Sequence, residues 1–315
     1  VIGNEERLNP DIWSRLPTER VIVNDIMNIK ETAPQMVAGF KGRFRAFAQI
    51  QQGCDHRCTF CIIPYGRGNS RSVPIGEIVK QFGLLIKNGY KEFVLTGVDI
   101  TSYGSDLPGQ PRLGTMIKRL LKNVEGIERL RLSSVDPSEI DEDLLDLIAN
   151  DKRLMPSLHL SVQAGNDLIL KRMKRRHLRD DVIKLSTLLR EIRPNIVLGA
   201  DLIAGFPTET EEMFKHTIDL ISEAELLHLH IFPYSARTGT PAAKMPQVTS
   251  NIKKLRARLL REAGAGLVAE HLSKKVGSDE TLLLEQNDTG YTDQFFPMKV
   301  SGNHKPGDII TAKVD

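Results

Sequence analysis

Cys54, Cys58 and Cys61 follow the spacing C-x3-C-x2-C in QGCDHRCTFCIIPYGRG, directly after the run FRAFAQIQ (44–51). They are the only cysteines in the chain. An odd number crowded into one short loop does not build a disulfide framework, and a reducing cytoplasm is the compartment that follows. A structural zinc site needs four ligands. The local fourth candidate is His56, but inside the first gap it lies too close in sequence to its thiolate neighbours to complete a tetrahedron. Three thiolates on one loop suit three irons of a [4Fe–4S] cluster and leave the fourth iron open to a ligand, and hence to chemistry. Metal-free cysteines and a zinc site are the competing readings.

The elements that must position this loop are regular from residue 44 onward. Short apolar or alternating runs predict strands at 44–51, 92–96, 129–134, 157–162, 197–203 and 226–232. Helical periods lie between them at 75–87, 113–123, 141–150, 179–192 and 210–224, with a further helix near 166–175. The segment 179–192 is the clearest, with Val182, Leu185, Leu189 and Ile192 on one face. Such alternation implies right-handed βαβ units and a parallel sheet, either doubly wound or a barrel or partial barrel. No GxGxxG follows the first strand and no GxxxxGK[ST] occurs, so dinucleotide and P-loop readings lose their support. In either architecture ligands collect at the carboxyl ends of the strands, where the cysteines fall.

The flanks differ in texture. Residues 1–40 carry Pro10, Pro17 and Pro34 without sustained periodicity and read as a linker or domain edge. Residues 250–275 read as a basic helix interrupted at Gly264-Ala265-Gly266. Beyond it, TLLLEQ (281–286), QFFPMKV (294–300) and DIITAKV (308–314), separated by NDTG and SGNHKPG, suggest a small all-β module. The opening VIGNEERLNP has no starting Met, no basic n-region and no apolar stretch, and the last residues stop inside a strand pattern. The chain reads as a fragment cut at both ends, without a secretory signal.

At 315 residues, 40% hydrophobic and 26% charged, the composition fits a soluble globular protein of roughly two domains and excludes a mostly disordered chain. No uncharged apolar run approaches the roughly 18 residues of a membrane span. A net charge of +3 does not by itself announce a nucleic-acid binder. Its distribution says more: KRMKRRHLR (171–179) holds six basic residues and KKLRARLLR (253–261) five. Each is either a solvated helix face or part of a phosphate-contacting surface. His228 and His230 alternate with apolar residues on one strand face, where local hydrogen bonding is the commoner use than metal binding.

The cysteine pattern, with Phe60 before the third Cys, resembles the radical S-adenosylmethionine (SAM) superfamily. The longer string QQGCDHRCTFCIIPYGRGNSRS is similar to the methylthiotransferases within it, as are LTGVDITSYG, RLSSVDPSEI, LHLSVQAGNDLILKRMKRRH, DLIAGFPTET and HIFPYSARTGTPA. The C-terminal part resembles the RNA-binding TRAM module. Among subfamilies, CIIPYGRGNSRS and LTGVDI are most like those acting on N6-threonylcarbamoyladenosine beside the tRNA anticodon.

The resemblance implies a partial (β/α)6 barrel over 41–245, a connecting basic helix over 246–275, a TRAM-like module, C-terminally truncated, over 276–315, and at 1–40 the tail of a missing N-terminal domain. It implies that Cys54, Cys58 and Cys61 hold the cluster that cleaves SAM into methionine and a 5′-deoxyadenosyl radical, which takes hydrogen from C2 of the adenine. Cofactor contacts implied are Phe60, Gly97, Ser134, Gln163, Arg175 (toward the SAM carboxylate), Asp201 and Gly205. Candidates for RNA contact are Arg67, Arg71, Arg237, Arg256 and Arg258, with Tyr234 and Ser235 near the substrate. An electron donor such as a flavodoxin or ferredoxin would reduce the cluster, and no membrane is involved. One departure matters: the family draws sulfur from a second [4Fe–4S] cluster held by three cysteines of the N-terminal domain, and no further cysteines occur here. The fragment alone is therefore expected not to insert sulfur. Rival readings are a methylthiotransferase for isopentenyl-type adenosine or for a ribosomal-protein aspartate, and a non-catalytic RNA-binding protein with a structural metal site.

Overall fold

A computed structural model describes residues 1–4, 6–14, 20–30, 42–286 and 288–315. Six strands follow one another in parallel: β1 (Arg45–Gln49), β2 (Glu92–Thr96), β3 (Arg129–Leu132), β4 (Ser157–Gln163), β5 (Val197–Ala204) and β6 (Leu226–Pro233). Pairing runs β1-β2-β3 and β4-β5-β6. The two triplets join where Val135 N donates to His159 O and Ser161 N to Val135 O, each at 2.9 Å. Among the described residues no ladder returns from β6 to β1, so the arc stays open. Of the two architectures left open by the sequence, this is the partial (β/α)6 barrel.

Helices α1 (Ile75–Lys87), α2 (Leu113–Asn123), α3 (Glu142–Asn150), α4 (Asp167–Met173), α5 (Arg179–Ile192) and α6 (Glu211–Glu223) lie between the strands in sequence. Each presents an apolar stripe: Ile78, Phe82 and Leu85 of α1 are buried, and Phe82 stacks on Phe93 of β2 at 4.7 Å. Side-chain caps fix three starts, Asp141 for α3, Asn166 for α4 and Thr210 for α6, each accepting from backbone N–H groups of the first turn. β5 is buried nearly throughout, as a strand covered on both faces must be. β4 alternates instead. Leu158, Leu160 and Val162 join the core, while Ser157, His159, Ser161 and Gln163 occupy the other face, giving the lumen a polar wall.

Helix α7 (Ser250–Ser273) is continuous, which corrects the expected interruption at Gly264-Ala265-Gly266. A Cβ on Gly264 would lie 2.6 Å from Leu229 Cδ1, so this glycine marks where the helix presses closest to β6. After it, β7 (Asp279–Gln286), β8 (Thr289–Thr292), β9 (Pro297–Lys299) and β10 (Ile309–Lys313) form an antiparallel sheet in the order β9-β8-β7-β10. Leu282, Leu284 and Val300 are its core. Two details differ from the sequence reading. Thr289 and Gly290 of the expected turn already belong to β8, and the expected strand at 294–300 is shortened to Pro297–Lys299. Phe295, at φ +69°, sits in a turn that breaks the strand.

At the N-terminus, the described parts of the expected linker form the helical turns Glu6–Leu8, Pro10–Ser14 and Ile26–Asn28, with a bridge between Ile2 and Ile22. Pro17 and Pro34 lie outside the described residues. Among those described, no helix is long and apolar enough to cross a membrane.

Candidate active site

The cysteine loop leaves the carboxyl end of β1. Gln51–Gln52 pairs antiparallel with Arg71–Ser72 and closes the loop at its base. The turn out of this pairing demands glycine: Gly53 has φ +71°, and a Cβ there would lie 1.9 Å from Asn69 O. Cys54 N then donates to Gly68 O at 3.1 Å, and Cys61 N to Cys58 O at 3.1 Å. Thr59, which the sequence did not single out, ties the loop to distant segments. Its N–H donates to Met173 O (3.1 Å), its hydroxyl to Arg172 O (2.7 Å), and its carbonyl accepts from Ala242 N (3.0 Å). Thr59→Val removes one buried hydroxyl bond and leaves a carbonyl short of a partner. It is expected to lower stability by about 1–3 kcal/mol and to loosen the loop, visible as faster hydrogen exchange at the amides of residues 58–61; unchanged exchange would show the backbone bonds suffice.

All three thiols are half-buried. Burial, reinforced by the Asp99 carboxylate, pushes the Cys54 thiol up to about 12, and burial raises Cys61 as well. Cys54 and Cys61 are thus held toward the thiol form; binding of iron would supply the positive charge that favours their thiolates and would release protons. A single tetrahedral zinc at about 2.3 Å from each sulfur would hold three sulfurs within about 4 Å of one another. Among the described residues, the three-donor sets that fit within 4.8 Å are Cys54–His56–Asp99, His56–Asp136–Glu139 and His159–Asp201–His230. None contains all three cysteines, so at least one pair of their sulfurs stands more than 4.8 Å apart, farther than one tetrahedral ion would hold them. His56 is committed elsewhere. Its Nε2 lies 2.9 Å from Asp99 Oδ2, 3.7 Å from Glu139 and 2.8 Å from Arg176 Nη2. The donor set fits a [4Fe–4S] cluster better than a closed zinc site.

Around the loop, the strand ends bring other expected residues together. Arg175 Nη2 donates to Asp136 Oδ2 (2.9 Å) and Ser161 O (2.6 Å), and its Nη1 lies 3.8 Å from Cys58 Sγ. Its Nε is buried without a partner, so one donor remains beside the cysteines. Ser134 Oγ lies 3.3 Å from Asp201 Oδ2, and Asp201 Oδ1 accepts from His159 Nε2 (3.1 Å) and His230 Nδ1 (3.2 Å). Burial works against ionisation of Asp201, but the two imidazoles hold its carboxyl below the usual range. Gln163 sits at φ +73° as β4 ends. Gly97 is a close-approach position: a Cβ would meet Gln51 O at 2.8 Å, and Gln51 Oε1 accepts from the N–H groups of Val98 and Asp99. Gly205, at φ +72°, donates its N–H to Glu209 Oε2 and leaves no room for a Cβ beside Lys253. Phe60 packs edge-on to Phe206, 6.4 Å between centroids, beneath the loop. His228 leaves this group and bonds Gln294 O at 2.9 Å.

The arginines divide. Arg237 and Arg258 are exposed and Arg67 half-exposed. Arg71 is 2% exposed, so it supports the base of the loop and does not offer a surface to RNA. Arg256 is the larger correction. It is 4% exposed, bonded to Glu209 (2.9 Å) and Glu211 (3.1 Å), and lies over the Phe214 ring. A residue enclosed in this way cannot meet phosphate. Burial lifts Glu209 to about 7 despite that guanidinium. The run 171–179 is also largely consumed internally: Arg175 and Arg176 pair with Asp136, Arg176 also with Glu139, Arg179 with Glu223, and Arg172 bonds Thr208.

Below the strand ends, a cavity of about 680 Å³ extends along the lumen to the C-terminal module, lined by Ser134, His159 and His230 toward one end and by Phe47, Arg131 and Phe295 toward the other. The polar residues Ser134, His159 and His230 thus border a ligand-sized cavity.

The sequence description of the radical SAM superfamily matches residues 49–221. The chain is 54% identical over 314 residues to the threonylcarbamoyladenosine tRNA methylthiotransferase MtaB of Rickettsia prowazekii (strain Madrid E), covering 100% of this chain and 74% of that protein. It is 37% identical over 294 residues to the protein of the same name from Aquifex aeolicus (93% and 71% covered). It is also 37% identical over 246 residues to a tRNA-2-methylthio-N(6)-dimethylallyladenosine synthase of Clostridium botulinum (strain Langeland), covering 78% and 54%. Coproporphyrinogen III oxidase (HemN) of Escherichia coli, a radical SAM enzyme, shares the fold at TM-score 0.53 and 23% identity, with 75% of this chain and 55% of that one covered. The methyltransferase TsrM of Kitasatospora setae does so at 0.52 and 18%, covering 63% and 38%.

Proposed function

From the premise that this chain belongs to the radical SAM methylthiotransferase family, we propose that it places a methylthio group on C2 of N6-threonylcarbamoyladenosine beside the anticodon of tRNA. The observation that carries this reading is the 54% identity along the full chain to a threonylcarbamoyladenosine tRNA methylthiotransferase, in a chain whose three thiols follow the carboxyl end of β1.

Cys54, Cys58 and Cys61 would hold the [4Fe–4S] cluster. When bound, cluster and SAM supply one-electron cleavage to a 5′-deoxyadenosyl radical, the reagent needed because C2 of adenine resists acid–base chemistry. The chain's own part is positional. Gly53 and Thr59 hold the thiols in one arrangement. Arg175, clamped by Asp136, keeps an unpaired N–H beside the cysteines, suited to a carboxylate of SAM. Gly97 and Gly205 let Gln51 and Lys253 pack closely at two strand ends, Gln163 turns the backbone out of β4, and Ser134 and Asp201 present oxygens to the cofactor or substrate. The Phe60–Phe206–Tyr234 packing keeps water from below the loop.

The finer divisions belong to the same proposal: 1–40 as the tail of a further domain, 41–245 as the catalytic barrel, 246–275 as a connecting helix and 276–315 as a TRAM-like RNA-binding module. A second cluster in that further domain would be the sulfur source, so the 315 residues alone would not insert sulfur. A flavodoxin or ferredoxin type of donor supplies electrons, and the cytoplasm is the setting. Arg67, Arg237 and Arg258 remain the candidates for RNA contact. The test is the nucleoside content of tRNA from a strain lacking this gene. Loss of the methylthio form with accumulation of threonylcarbamoyladenosine supports the reading. Loss of methylthio-dimethylallyladenosine reassigns the acceptor, and intact nucleosides point to a protein substrate.

A further inference from the structure

The C-terminal module does more than hang from the barrel. Its β8–β9 turn, residues 293–296, forms one wall of the cavity, and the aromatic ring it presents there is held in a costly conformation. Phe295 has φ +69°, a left-handed backbone that disfavours a bulky side chain. The turn is nevertheless fixed from several sides. Arg131 Nη1 and Nη2 donate to the carbonyls of Asp293 (2.9 Å) and Thr292 (2.8 Å). His228 bonds Gln294 O (2.9 Å), and Gln294 Nε2 reaches Asn195 O (2.6 Å). The Phe295 N–H donates to Thr292 O. The ring stacks on Tyr291 at 4.8 Å and lies 4.9 Å from the guanidinium carbons of both Arg45 and Arg131. After all this packing it is still 37% exposed, and Phe47, also lining the cavity, is 68% exposed. A strained aromatic residue fixed so firmly, with ring surface left open beside a second open ring, is poorly explained as packing alone.

Resting on the proposed function, we infer that Phe295 is a specificity-determining residue that touches the N6 substituent of the target adenosine. With C2 presented to the cysteine end of the lumen, the N6 arm leaves the same six-membered ring beyond N1 and projects deeper along the cavity, toward the module. The part of the Phe295 ring left uncovered and the exposed ring of Phe47 then meet the planar carbamoyl part of the arm, as aromatic rings meet flipped nucleotides elsewhere. The RNA-docking module and the recognition of the modified base are thereby one unit.

The test uses the full-length, two-cluster enzyme and two anticodon hairpins that differ only in carrying N6-threonylcarbamoyladenosine or plain adenosine. The Kd ratio between them measures the arm. The wild type is expected to prefer the arm by about tenfold or more. Phe295→Ala is expected to reduce that preference to under about threefold, while Phe295→Tyr, which keeps the ring, retains it. Because removing the ring can loosen the module, Phe295→Leu is the second variant: it keeps apolar bulk, loses the aromatic ring, and is expected to lose at least half of the preference. Equal weakening of both hairpins, or an undiminished preference in both the Ala and Leu variants, overturns the inference. A wild-type enzyme that leaves the threonylcarbamoyl hairpin without a methylthio group overturns the functional reading instead, whatever its binding ratio.

Discussion

Alanine at any one of Cys54, Cys58 or Cys61 is expected to cut formation of 5′-deoxyadenosine from SAM by about a thousandfold or more, roughly 4 kcal/mol on the barrier. Three thiolates are the minimum that holds three irons while leaving one open, so each loss opens a second iron to solvent and the cluster becomes labile. Serine is expected to do little better, because a hard oxygen is a poor substitute for a soft thiolate at iron. The fold should survive, since the three thiols are half-buried and the loop is anchored by backbone bonds and Thr59. Iron and sulfide content, melting temperature and SAM cleavage measured on the same samples separate these effects. A variant with two cysteines that keeps its cluster and its cleavage rate would remove the loop from the chemistry.

The second large effect lies far from the cysteines. Glu92 is completely buried and is met by Arg45, by Arg129 Nε (2.6 Å) and by Arg131 Nε (2.9 Å). Those arginines continue to Glu285, to Asp293 and to the carbonyls of Thr292 and Asp293. One carboxylate thus gathers β1, β2 and β3 and, through the guanidiniums, the C-terminal sheet. Glu92→Gln leaves three buried cations around a neutral amide, and breaking such a group costs about 3–5 kcal/mol. Burial opposes ionisation of Glu92, yet Arg131, Arg45 and Arg129 overcome it and hold the carboxyl at about 2. The folded pKa is therefore depressed below an unfolded value of about 4.3. The stabilisation is full above that unfolded value and is lost as pH falls from there through 2, an amount of order 3 kcal/mol. Urea melts at pH 7 and pH 3 should show a marked loss in the wild type and a smaller one in Glu92→Gln. Parallel losses would show that other carboxylates govern the acid limb.

Much of the barrel was legible in the chain because parallel βα units write their period locally. The runs at 92–96 and 157–162 and the stripes of 75–87 and 179–192 reappear within a residue or so as β2, β4, α1 and α5. The cysteine loop was legible for the same reason: its ligands lie within one short segment. What failed was the reading of charge. Arg256 stood as a candidate for RNA contact, and the run 171–179 as either a solvated face or a phosphate-contacting surface, because their partners, Glu209, Asp136 and Glu139, are distant in sequence and close only after folding. Thr59 escaped notice because its hydroxyl partner is 113 residues away. Glu92 drew no attention as the first residue of the strand at 92–96. Phe295 fell inside the strand expected at 294–300, since a positive φ at phenylalanine has no sequence signature. Each miss is a tertiary contact overriding a local pattern, and several fall at the joint between barrel and module.

The claim beneath all of this is that the three thiols hold a cluster with one iron open to SAM. The most direct measurement is electron paramagnetic resonance of the anaerobically reconstituted, reduced chain with and without SAM, beside iron and sulfide counts. The account predicts a single four-iron cluster whose signal shifts when SAM is added. A zinc-loaded chain, or a cluster signal indifferent to SAM, would contradict it and leave the barrel as a binding scaffold.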